Sequence, residues 1–407
     1  MFEAIARIPA AELDRRHASL RRHLQAVTPA AGGILVFSRL NIYYLTGTCG
    51  QGVLWLPLVG EPVLMLRKGV SRARIEAGVT HIVPFKSYSE MPSLCAEAGS
   101  PMTPTVAAVM AGLTWQLGTL LAAKLSDHTL VPGDHAVALA RMVKSEFELD
   151  IMRRCGDKHH RCLHDILPGR IRPGMTEREI AHKAWEVFFE EGHMGILRMQ
   201  AHGEECFLGH VSAGDSGNYP SAFNGPLGLR GEHPAAMVMG NAAMVWRSGQ
   251  PLMLDIGFQI EGYHTDKTQA YFAGPESTMS DDVRRAHDFC IEVQEWVRAN
   301  AKPGTTPAEL YAGSLEMAKR RGFDEGFMGL DDNKVPFVGH GIGLTIDEFP
   351  AIAAGFDLPL EPGMTLAVEP KQGIRGVAMV GVENTFEITT TGARCITGDS
   401  YGMLAVE

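Results

Sequence analysis

The chain has no run of lysine and arginine, no apolar stretch near the ~20 residues a membrane span needs, and no paired framework of cysteines. Each absence excludes something. With 37 basic against 47 acidic residues the formal net charge is -10, and nucleic acid or an acidic lipid surface requires basic patches that this chain does not supply. The first twenty residues, MFEAIARIPAAELDRRHASL, are amphipathic and lack the apolar segment and small-residue cleavage site of a secretory signal, so the expectation is a cytoplasmic protein. Seven cysteines (49, 95, 155, 162, 206, 290 and 395) are odd in number and widely scattered, as reduced thiols are. Three chemistry-bearing residues, Cys155, His159 and Cys162, recur at helical spacing, but one short helix face leaves a ligand set incomplete, and the spacing predicts core contacts.

What is present is an α/β texture too long for one ordinary core. Residues 12–28 carry a helical pattern, and GGILVFS predicts a buried strand ahead of a turn at Arg39 to Asn41. GVLWLPLVG and EPVLMLRKG, separated by Gly60, Glu61 and Pro62, predict a hairpin. Strands and helices alternate through HIVPF, TVAAVMAG and LGTLLAAKL, giving a first domain over 1–140. A charged helical stretch from about Ala136 to Lys158 is expected to connect, with 141–158 as the link, to a second domain over 159–407. There Thr176 and Glu179 have the spacing of a capping box. Residues 201–234, rich in Gly, Pro, Asn and Ser, are too long for an ordinary connection and suggest a functional surface.

An internal echo carries the chemistry. Gly249 precedes Asp255 through GQPLMLD, and Gly363 precedes Glu369 through GMTLAVE, each acid ending an apolar strand. Each strand turns at glycine and returns to a second acid followed two residues later by threonine: Asp266 with Thr268, and Glu383 with Thr385. Hairpin pairing predicts Asp255 opposite Asp266 and Glu369 near Glu383. Carboxylates on apolar strands need a positive partner. Only Lys267 and Lys371 lie beside them in sequence, and four acids with one histidine suit two divalent first-row ions. His340, set between glycines in FVGHGIGLTIDEFP, supplies the nitrogen.

These motifs, LDIGFQIEGYHTDKT, GHGIGL, LAVEP and GVENT, resemble in order those of the M24 metallopeptidases, the group of methionine aminopeptidase, aminopeptidase P, prolidase and creatinase. NIYYLTG, KSEFELDIMRRC and IRPGMTEREIA extend the resemblance over nearly the whole chain. It implies an α/β N-terminal domain of the creatinase/prolidase type followed by an α+β pita-bread catalytic domain with pseudo-two-fold internal symmetry. It further implies that Asp255 binds one metal, that His340 and Glu369 bind a second, and that Asp266 and Glu383 bridge. The ions would be Mn, with Co, Zn or Fe as other choices. A hydroxide shared between them would attack a peptide or amide carbonyl, Glu369 would shuttle protons, and Thr268 and Thr385 would support the ligands. A homodimer acting on a small peptide or amide is the implied assembly.

Three positions depart from the family pattern. Asp347 occupies the slot of a second histidine after the GHGIG motif; MVMG, 237–240, lacks the histidine expected before the first metal strand; and Thr268 is followed by Gln269 rather than arginine. No ligand is lost, so a two-metal hydrolase of the prolidase or aminopeptidase P kind is the leading expectation, with His202, His210 or His233 replacing the missing histidines at the substrate. A second is a different reaction on the same scaffold, creatinase-like C–N hydrolysis or β-elimination, with Asp347 as general base. A third, a binding module without activity, is disfavoured by the intact ligand set.

Overall fold

The computed structural model describes residues 2–200, 204–237 and 239–407. The chain divides into two compact units, Met1–Arg141 and Met142–Glu407.

In the first unit a six-stranded sheet runs in the order His81–Pro84, Val63–Lys68, Gln51–Pro57, Gly33–Val36, Thr105–Ala108, Thr129–Pro132. The central strands read as continuous apolar runs because helices cover them. Gln51–Pro57 and Val63–Lys68 form the antiparallel hairpin that the apolar runs predict. Trp55 is fully buried among Leu35, Met65, Phe85 and Met91, and its indole N–H donates to the carbonyl of Ser100 at 2.9 Å. One expectation fails here. Residues 39–41 are not a turn but open a helix, Arg39–Thr46, because the Ser38 hydroxyl caps the Asn41 N–H and Gly47 closes it in the left-handed conformation.

The second unit is built on two larger sheets and a small hairpin. Four strands run in the order Leu404–Val406, Tyr263–Ala273, Pro251–Ile260, Gly209–Ala213; five run Glu348–Ala353, Phe337–Gly341, Thr365–Val368, Asn384–Thr389, Gly392–Cys395; and Lys371–Ile374 pairs with Ala378–Gly381. A bridge between Thr268 and Glu383 joins the two acid-bearing segments. The expected helix from 136 to 158 is instead two, Asp134–Met142 and Glu146–His160. The break falls where Ser145 and Glu148 form a reciprocal capping box that restarts the helix. The second of these helices packs on the four-stranded sheet: Cys155 Sγ lies 3.4 Å from the Thr265 hydroxyl and His159 Nδ1 3.0 Å from it. The cysteine–histidine stripe is therefore core, with burial holding His159 neutral well below its usual range. The predicted cap of helix Glu177–Glu190 by Thr176 and Glu179 is present in both directions.

His193 follows that helix and is wedged against the rings of Phe188 and Phe258, its Nδ1 accepting from Gly195 N–H at 2.9 Å. Burial depresses its pKa to about 4. A folded-state pKa below the unfolded value of ~6.5 means the unfolded chain takes up the proton first, so stability is full above that value and is lost as pH falls toward 4. The slope of unfolding free energy across this window, from urea titrations at several pH values, is expected to be shallower by close to one proton in His193→Phe, about 1.4 kcal/mol per pH unit at most. An unchanged slope would show that the ring is not the titrating group.

Candidate metal centre

The first acid-bearing hairpin turns in two residues, Glu261 and Gly262, both at positive φ, so that Ile260 pairs with Tyr263. That turn fixes every later pair. Asp255 lies opposite Thr268, and Asp266 lies opposite Gly257; the two aspartates are diagonal neighbours on one face rather than the direct pair expected from the sequence. In the second hairpin the register of Thr365–Val368 with Asn384–Thr389 continues into that of Lys371–Ile374 with Ala378–Gly381. Glu369 and Glu383 fall opposite one another in the gap between these two ladders, as the spacing predicts.

His340 lies on a strand squeezed between two others. A Cβ on Gly339 would come within 2.2 Å of the Ala367 carbonyl, and one on Gly341 within 2.5 Å of the Phe349 carbonyl, so only glycine fits on either side. His340 Nδ1–H donates to Gly341 O at 3.1 Å. This leaves the Nε2 lone pair facing the acids, 3.6 Å from Glu369 Oε1 and 3.8 Å from Glu383 Oε1. Two sets of three ligand atoms come close enough to share an ion, one from Asp266, His340 and Glu383 and one from Asp255, Glu369 and Glu383.

Four carboxylates here are enclosed by protein, and their ionisation shows the strain. Burial, reinforced by the charge of Asp255, pushes Asp266 up to about 7. Burial, with Asp266 beside it, raises Glu383 well above the usual carboxylate range, and Glu369 is raised also. Asp255 moves the other way: burial would raise it, but the Lys371 ammonium outweighs that. Glu383 Oε1 is buried without a hydrogen-bond partner. An orphaned carboxylate oxygen facing an imidazole lone pair and a second carboxylate fits a bound divalent cation.

Lys371, not assigned to the site from sequence, is wholly buried with its Nζ 3.1 Å from Asp255 Oδ2, 3.3 Å from Glu369 Oε2 and 3.1 Å from Glu383 Oε2. Its position two residues after Glu369 was the available signal, since both project from one face of an extended chain. Lys267 takes no part; its Nζ donates to Asn384 Oδ1 at 2.7 Å. The threonines are supports of two kinds. Thr268 donates to Glu383 Oε2 at 3.1 Å, whereas Thr385 holds the backbone of Asp266, accepting from its N–H and donating to its carbonyl, both at 2.9 Å.

A cavity of about 300 Å³ opens over these acids, walled by Cys206, His210, Phe223, Asp347, Phe349 and Phe356. His210 sits directly across the strand pair from Asp255, its ring edge-on to Phe223 and its Nε2 buried without a partner. Burial lowers its pKa, so the ring is neutral. His233 is exposed, accepts at Nδ1 from Ala235 N–H, and does not line the cavity. His202 lies outside the described residues. Asp347 is on the wall, its Oδ1 accepting from the Gln200 N–H at 2.6 Å. Its loop is anchored by the buried pair Lys144–Glu348 at 3.1 Å, with Glu348 Oε1 accepting from Thr345 N–H.

A model of metallopeptidase family M24 matches residues 150–390, and a model of the creatinase/prolidase N-terminal domain matches 16–143. The chain belongs to metallopeptidase family M24. It is 29% identical over 268 residues to a probable dipeptidase, PepE, of Mycobacterium tuberculosis, a match that takes in 65% of this chain and 61% of that protein. The chain thus spans about three fifths of the length of the first curated relatives it matches. Among solved structures it resembles dipeptidase PepE from Mycobacterium ulcerans, with a TM-score of 0.79, 23% identity, and 98% of this chain and 100% of that one covered. It also resembles an Xaa-Pro dipeptidase from Bacillus anthracis, with a TM-score of 0.76, 22% identity and coverage of 98% and 100%. These likenesses show the fold: a creatinase/prolidase-type α/β domain followed by a pita-bread domain.

Within the M24 pattern the departures now have places. The segment without its histidine runs beside the strand Gly209–Ala213, Met239 bridging to His210 and its N–H donating to Gly209 O at 3.0 Å. His210 therefore presents an imidazole beside the position where the pattern lacks one. Gln269, in place of arginine, is buried and donates to the carbonyls of Ala270 and Gly402. Thr385→Val would leave the Asp266 N–H and carbonyl buried and unpartnered. A loss of about 1–3 kcal/mol is expected in urea unfolding of the metal-free protein; a variant as stable as the parent would show that these bonds contribute little.

Proposed function

We propose that this chain is a divalent-metal-dependent hydrolase of small peptides, of the Xaa-Pro dipeptidase kind. The observation that carries the reading is the convergence of Asp266, His340, Glu369 and Glu383, with Asp255 beside them, on the floor of a cavity of about 300 Å³. That volume is at the small end of ligand pockets, which suits a dipeptide rather than a long chain. Aromatic walls at Phe223, Phe349 and Phe356 suit a proline ring or another apolar side chain. The relatives named as dipeptidases support the same class. An oxygen-rich set with one imidazole suits Mn best among first-row ions. All seven cysteines are thiols rather than disulfides, which supports a reducing, cytoplasmic setting, and no helix among the described residues is long and apolar enough to cross a membrane. A homodimer remains part of the proposal.

A bound divalent ion supplies Lewis acidity, polarising a carbonyl and acidifying water. The chain supplies the rest. Glu369, its pKa raised by burial, takes a proton from water at Oε1 and delivers it to the leaving amine. His210, on the cavity wall and with Nε2 unpaired, donates to the oxygen on which negative charge develops. Asp347 shapes the cavity wall through its bond to Gln200. The reading in which Asp347 acts as general base for C–N hydrolysis or elimination gains no support from the relatives, which are named as dipeptidases.

Activity of the Mn-loaded protein on a panel of Xaa-Pro and Xaa-Xaa dipeptides tests the class. Glu369→Gln is expected to lower kcat by about 10²–10⁴-fold, and His210→Ala to lower kcat/KM by about 10²–10³-fold. Failure to cleave any dipeptide, joined to turnover of a small amide that is abolished in Asp347→Asn, would replace this reading with the second one.

A further inference from the structure

The carboxylates of Glu369 and Glu383 are divided between two sides. Their Oε1 atoms face His340 Nε2, and their Oε2 atoms face Lys371 Nζ. Asp255 Oδ2 joins the lysine side, so the three oxygens around the ammonium come from the residues of one of the two candidate ligand sets. A carboxylate that serves two cations presents one oxygen to each, and here one of the two cations belongs to the chain. The lysine is built into that position. It is fully buried, and its ammonium donates to Glu369 and Glu383 and pairs with Asp255, which offsets the cost of removing an ammonium from water. Its cross-strand partner is Gly381, where a Cβ would come within 3.0 Å of the lysine Cγ, so the facing residue leaves room for the stem.

A first-row divalent ion binds carboxylate oxygen at ~2.0–2.2 Å. An ion on these same three oxygens would overlap the ammonium that lies 3.1–3.3 Å from all of them. The other set, Asp266, His340 and Glu383, has no such occupant among the described residues, and there Glu383 Oε1 stands unpartnered. We propose that this chain binds a single divalent cation, at Asp266, His340 and Glu383 with Glu369 Oε1 beside them, and that Lys371 Nζ fills the second cation position. The lysine neutralises Asp255, Glu369 and Glu383 without a metal, and the oxygen pattern of a two-cation site is kept with half the metal.

This inference rests on the metal-dependent reading above, and the count of bound ions separates the two. Mn²⁺ is titrated into the metal-free full chain by calorimetry, and the loaded sample is examined by electron paramagnetic resonance. The wild type is expected to bind one Mn²⁺ per chain, with the six-line spectrum of an isolated ion. Lys371→Ala is expected to bind two, with the exchange-coupled spectrum of a close pair. Two ions in the wild type would overturn the inference and leave the metal-dependent reading standing; none would overturn both. One ion in both wild type and Lys371→Ala would remove the lysine's part. Should Lys371→Ala fail to fold, Asp255→Asn decides, because Asp255 contributes to the lysine side. It is expected to keep the single ion, which His340→Ala loses, and loss of the ion from Asp255→Asn overturns the inference.

Discussion

Four carboxylates gathered where water is scarce must be neutralised, and the second unit is arranged around that requirement. Asp255, Asp266, Glu369 and Glu383 arrive from two hairpins, the aspartates within paired strands and the glutamates between two ladders. Ionised together without a cation they would repel strongly, which is why burial and mutual charge raise Asp266, Glu369 and Glu383. Lys371 meets part of the requirement from within the chain, and a divalent ion beside His340 meets the remainder in the reading advanced here. Backbone and hydroxyl groups then hold the acids in place: Thr385 pins Asp266, Thr268 reaches Glu383, and glycines let the His340 strand approach closely enough to join them.

The cavity above follows from the same architecture. The strand Gly209–Ala213 adds to the edge of the first hairpin's sheet and so carries His210 to the side of Asp255. The loop after His340 is anchored by Lys144–Glu348 and carries Asp347 to the cavity wall. Asp347, at a position that departs from the family pattern, and His210 both line the cavity, while the five candidate ligands keep the residue types of that pattern.

Much of this was legible before any coordinates. The paired hairpins, the glycine-flanked histidine and the capping box at Thr176 are local patterns with local physical causes, and each is present. The helix at Arg39–Thr46 was missed although Ser38 and Gly47 mark its ends, because it is only eight residues long and an asparagine near its start reads as a turn. The opposition of Asp255 and Asp266 was misplaced by two residues, since register depends on the turn rather than on the acids. Among the candidate histidines, sequence offered no ground for choosing, and strand pairing separates buried His210 from exposed His233.

By itself the sequence marked the acid-bearing hairpins and the glycine-flanked histidine and the kind of local element on which each lies, because glycine turns, apolar alternation and capping residues act over a few positions. Only the tertiary structure decided their partners. Whether the cationic end of Lys371 meets solvent or three buried acids, and whether His210 faces a ligand or the core, depends on strands far apart in the chain being brought within hydrogen-bond distance. Electrostatic energy depends on separation and burial, and neither is a property of residues taken one at a time.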